Sequence, residues 1–112
     1  MKQVMYKDRI QESGELFSLA QQATRSLEEI VGKFGGRISA EWDSRKDEKD
    51  RPLLTLKIWD RIGEATTSFL PDDLKDSNES RIRLYRLWGD LLQVWSHKQI
   101  DDLLEGNGSL GE

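Results

Sequence analysis

The chain of 112 residues has the length of one ordinary domain, and its four Trp, three Phe and two Tyr give it bulk for a core despite 34% charged residues. Seventeen Lys and Arg against twenty-one Asp and Glu leave a formal charge of −4, which argues against long-range attraction to nucleic acids or anionic membranes. With no Cys there is no disulfide, thiolate nucleophile or thiolate metal ligand. The apolar patch at residues 4–6 is too short for a signal-peptide core and no apolar run reaches membrane-spanning length, so a cytoplasmic protein is expected.

In chain order, the first element is a helix over residues 13–34. Leu16, Ala20, Ala23, Leu27, Ile30, Val31 and Phe34 recur at steps of three and four, with polar residues opposite. Ser13 is placed to cap its start, and Gly35-Gly36 to end it. The period then changes to two. Ile38, Ala40 and Trp42 alternate with Arg37, Ser39 and Glu41 in a first strand, and Leu54, Leu56 and Ile58 alternate with Thr55, Lys57 and Trp59 in a second. The charged stretch 44–51 between them reads as a solvated hairpin loop.

Residues 60–63 are a four-residue turn signal, with Gly63 expected at positive φ, and a third strand runs from Glu64 to Leu70. Antiparallel folding at both connections brings apolar residues to one face. The expected pairs are Trp42 with Leu54, Ala40 with Leu56 and Ile38 with Ile58, then Ile58 with Ala65, Leu56 with Thr67 and Leu54 with Phe69. Residues 71–78 read as a loop. A second helix covers residues 81–95, a short helical piece follows at 98–104, and 106–112 form a flexible tail to the single domain 1–105. The fold class that results is α+β in the order α-β-β-β-α: a three-stranded antiparallel meander with two helices packed on one face.

The apolar stripe of the second helix is wider than one sheet requires. Leu84, Leu87, Leu91 and Val94 are therefore the candidate residues of a dimer interface. The sheet face away from the helices supplies the other candidate surface, with Arg37, Glu41, Lys57, Trp59 and Thr66 as the residues offered to a partner. In the expected register Arg37 lies across from Trp59, within reach of a cation–π contact.

Constellations for chemistry are weak. His97, Asp101 and Glu105 form one line on one helix and lack convergence from separate elements, so neither a metal site nor a general base is assigned. Gly106, Gly108 and Gly111 match a dinucleotide fingerprint without the strand and helix it needs. Asp72, Asp73 and Asp76 suit the start of the second helix, and Arg86 suits an ion pair with Asp90.

A duplex-RNA reader of this element order needs a basic cluster where Asp72, Asp73, Asp76 and Glu79 stand. The expectation is a non-catalytic protein-interaction domain of adaptor, chaperone-like or inhibitor-like type, homodimeric, with another protein as partner and without cofactor or membrane attachment. The alternative is nucleic-acid binding through Arg37, Lys57, Arg61, Arg81, Arg83 and Arg86 gathered in space, although the charge balance argues against it.

Overall fold

A computed structural model describes the backbone of residues 1–110 and the side chains of residues 1–104. The fold is α+β, but its sheet has four strands and is mixed. The elements are β1 (Gln3–Tyr6), α1 (Asp8–Gln11), α2 (Gly14–Val31), a 3₁₀ segment (Gly32–Arg37), β2 (Ser39–Lys46), β3 (Pro52–Trp59), β4 (Glu64–Phe69), α3 (Pro71–Lys75) and α4 (Ser77–Leu110). The strands lie in sequence order, β1 parallel to β2 and the rest antiparallel.

The expected three-stranded meander is thus corrected by an added parallel edge strand. β1 is only four residues long, and its pairing with β2 requires the crossover through α1 and α2. Val4 and Tyr6 turn toward the helices, opposite Ala40 and Trp42.

Within the core, Ala40, Trp42, Leu54, Leu56, Ile58, Ala65 and Phe69 from the sheet meet Ala20, Ala23, Leu27 and Val31 from α2 and Leu84, Leu87 and Leu91 from α4. Apolar burial is the main driving force for this packing. Thr24 joins three elements inside it: its Oγ1 donates to Ala20 O at 2.8 Å and accepts from Trp42 Nε1 at 2.9 Å and Tyr6 OH at 3.2 Å.

Local chemistry sets the boundaries. Ser13 Oγ accepts from Leu16 N, capping α2 as its position predicts. The helix ends earlier than expected, at Val31, because Gly32 adopts φ +54° and leads into the 3₁₀ segment. Phe34 lies in that segment and packs on Trp88 and Trp95.

The β3–β4 register matches the expected pairs. In β2–β3 the facing is as expected, but the pairs are shifted by two residues: Ala40 meets Ile58, Trp42 meets Leu56 and Ser44 meets Leu54. The cause is Asp47. Its Oδ1 accepts from Lys49 N and Arg51 N, and its Oδ2 from Arg51 Nε, so the charged stretch closes as a compact turn and both strands extend into it.

Asp73 Oδ2 accepts from Leu70 N at the start of α3, and Asp76 Oδ1 accepts from Asn78 N and Glu79 N at the start of α4. Two of the three clustered acids are therefore helix caps, and part of the expected 71–78 loop is helical. α4 is continuous where two helical pieces were expected. It also runs through 106–110, part of the expected tail, while residues 111–112 lie outside the described residues.

Gly63 does not take the expected positive φ; among the described residues the positive-φ glycine is Gly32. Gly63 is needed for close approach instead, since a Cβ there would run into Val94 Cγ1 on α4.

Candidate functional site: the open sheet face

Residues that alternate with the core positions form the second face of the sheet. Cross-strand pairing arranges them in rows. Met5, Glu41, Lys57 and Thr66 make one row across all four strands, and Gln3, Ser39, Trp59 and Glu64 make the next. Asp43, Thr55 and Ser68 make a third over β2 to β4.

Four of the five residues expected at a partner surface are therefore neighbours: Glu41, Lys57, Trp59 and Thr66. Arg37 is not among them. The two-residue shift puts Ser39 across from Trp59 and leaves Arg37 at the end of the 3₁₀ segment, so its expected cation–π contact is not made. Lys57 takes that place, its Nζ lying 5.2 Å from the centre of the Trp59 ring.

Electrostatically the face is balanced. Glu41 pairs with Lys7 at 3.1 Å, Asp43 with Arg9 at 2.9 Å and Lys57 with Glu64 at 3.6 Å. Such solvent-exposed pairs add little stability. They do fix where charge stands, with Trp59 half-buried among them.

Beside Trp59, the β3–β4 turn forms a shallow groove of about 310 Å³ with Lys57, Asp60, Arg61, Ile62, Gly63 and Glu64. Asp60 Oδ1 accepts from Ile62 N and Gly63 N, which holds this turn in shape. A second open depression, of about 420 Å³, sits at the β2–β3 tip between Arg45 and Leu53. There the Asp47 carboxyl is held below its usual range, first by the Arg51 N–H and also by the Arg51 side chain and Lys49 N–H.

The outer edge of β4 is partly guarded. Arg83 Nη1 donates to Ser68 O at 3.0 Å, satisfying one of the carbonyls an edge strand presents. Sequence periodicity does not mark Gln3 or Met5 as parts of this face, or Arg83 as a guard of the β4 edge, because each arrives through tertiary contact. Val4-Met5-Tyr6 as a short apolar run was the available signal for the first two.

The residues expected at a dimer interface lie elsewhere than expected. Leu84, Leu87 and Leu91 are 0%, 1% and 0% exposed, packed in the chain's own core. Val94 is half-buried against Gly63. Among the described residues, the large apolar groups that α4 leaves exposed are Ile82, Tyr85, Leu92, Ile100, Leu103 and Leu104. Trp95 packs on Trp88 and Phe34, and its Nε1 is buried without a hydrogen-bond acceptor.

Of the basic residues of the alternative surface, Lys57 and Arg61 share the groove beside Trp59, and the others stand on different elements. Arg37 ends the 3₁₀ segment, Arg61 sits in the β3–β4 turn and Lys57 lies on the open face. Arg81 pairs with Glu29 at 3.6 Å, and Arg83 with Glu79 at 2.9 Å and Asp73 at 3.5 Å. The expected Arg86–Asp90 pair is not among the ion pairs of the described residues. Among the described residues no three His, Asp or Glu side chains are grouped to hold a metal ion, and no helix is long and apolar enough to cross a membrane. The Glu105 side chain of the His97 line lies outside the described residues.

In comparison with known proteins, the chain matches no family model and no curated sequence.

Proposed function

We propose that this chain is a non-catalytic protein-interaction domain, homodimeric and cytoplasmic, that holds another protein on the open face of its sheet. What supports this most is the sheet face turned away from α2 and α4, on which Glu41, Lys57, Trp59 and Thr66 stand together. A half-buried Trp beside small polar and balanced charged groups suits an extended or loop-shaped polypeptide: the ring offers area at low entropic cost and the charged rows set orientation.

The testing experiment compares capture by the intact chain with capture by Trp59→Ala and Thr66→Arg from an extract of the native cell. Trp59→Ala and Thr66→Arg each deplete the same captured protein, while circular dichroism leaves the fold unchanged. Equal capture by all three chains removes the sheet face from the proposal.

A further inference from the structure

α4 carries two apolar faces. At 100° per residue, Leu84, Leu87, Trp88 and Leu91 turn to the core, while Ile82, Tyr85, Gly89, Leu92 and Ser96 line a seam that lies about 125° around the helix from it. Their spacing of three, four, three and four is the 3.5-residue repeat of a coiled-coil contact, and the polar Gln99 and then Leu103 continue it beyond Ser96. Ile82, Tyr85 and Leu103 are each more than half exposed, at 53%, 53% and 59%. From Ser96 to Leu104 every side chain is exposed, so the helix continues past the body with Ile100, Leu103 and Leu104 in solvent. An isolated stretch of that length has marginal helical stability without packing.

We propose that the occupant of this seam is a second copy of the chain, with the two α4 helices antiparallel about a two-fold axis level with Asp90 and Leu91. Size and charge both select this arrangement. An antiparallel register that sets Leu92 of one copy against Gly89 of the other also sets Tyr85 against Ser96, so in these two central layers a large group meets a small one, while Ile82 meets the longer Gln99; the contact is self-complementary. Gly89 has open space where a Cβ would stand, which leaves room for the opposing leucine.

Charge follows the same sense. In residues 77–91 three arginines outnumber Glu79 and Asp90, whereas in 92–104 Asp101 and Asp102 outnumber Lys98. Antiparallel helices place the basic half of each against the acidic half of the other, and the register above brings Arg81 beside Asp102 of the opposite copy. Parallel helices would align like charges and leave Gly89 facing Gly89. The existing partners of these two residues, Glu29 at 3.6 Å and Lys98 at 3.3 Å, form exposed pairs that are readily exchanged.

This deepens the self-association part of the proposed function and rests on it. The test is sedimentation equilibrium of the full chain, for which twice 13.0 kDa is expected. Leu92→Glu, and separately Ser96→Glu at an exposed position, raise the dissociation constant roughly a hundredfold while circular dichroism is unchanged. Because the chain has no Cys, single cysteines report direction. Under mild oxidation a mixture of Tyr85→Cys and Ser96→Cys chains cross-links between the two variants, whereas Ser96→Cys alone does not cross-link. A dimer indifferent to both Glu variants overturns the seam and leaves self-association standing; cross-linking of Ser96→Cys to itself overturns the antiparallel sense. A monomer at every concentration overturns both this inference and the homodimeric half of the proposed function.

Discussion

Trp42 donates its indole N–H to the hydroxyl of Thr24 at 2.9 Å, joining β2 to α2 inside an otherwise apolar core. The same hydroxyl receives the Tyr6 OH from β1 and gives its own proton to Ala20 O, so one small side chain satisfies two aromatic donors on neighbouring strands. Thr24→Val keeps the shape and removes the acceptor. With the Trp42 donor left buried and unpaired, the substitution is expected to cost about 1–3 kcal/mol, read as a lowered midpoint in urea. An unchanged midpoint would show that the Thr24 hydroxyl adds nothing to the core.

Gly63 and Val94 make a second prediction. The β3–β4 turn passes so close to α4 that a methyl group on Gly63 meets the valine side chain. Gly63→Ala is expected to destabilise by about 1–3 kcal/mol through overpacking, and Val94→Ala in the same chain to recover part of that loss. Simple additivity of the two losses would mean that the contact does not constrain the turn.

Asp47 supplies a pH prediction. Three hydrogen bonds from Arg51 and Lys49 stabilise its ionised form, so its folded pKa lies below the ordinary aspartate range. A depressed acid pKa contributes stability that is present above the unfolded value and is lost as pH falls through the folded one. The amide of Arg51 should therefore stay protected at neutral pH and lose its protection only as the pH falls below the ordinary aspartate range, and Asp47→Ala should remove it at neutral pH as well. Protection that survives in Asp47→Ala would assign the turn to the backbone alone.

Much of this fold is legible in the chain because period-two alternation in residues 53–70 and the tight 60–63 turn constrain each other, and together they give the β3–β4 pairs, such as Leu56 with Thr67. Alternation does not detect a slip of two residues, which keeps every side chain on its face. For that reason the face of β2 is readable while its register depends on Asp47, a polar residue within a charged stretch whose turn-forming hydrogen bonds appear only in three dimensions.

β1 is harder to read, since four residues pair with a strand 36 positions onward and carry no periodic signal of their own. On α4 the apolar stripe is visible, but periodicity alone does not tell which part faces the core. Leu84, Leu87 and Leu91 look like surplus apolar surface until α2 and β4 are seen to cover them. The candidate site divides the same way: alternation gathers Glu41, Lys57, Trp59 and Thr66, and the slip, with Arg37 held in the 3₁₀ segment before β2, displaces Arg37.

The most direct test of the central claim is a two-dimensional NMR titration of the isotopically labelled chain with the protein it captures. Binding at the open face predicts that the largest shift changes fall on the Trp59 indole and on the Glu41, Lys57 and Thr66 amides, with the Trp42 indole little affected. Changes confined to the helical side, with those four residues unmoved, would contradict it.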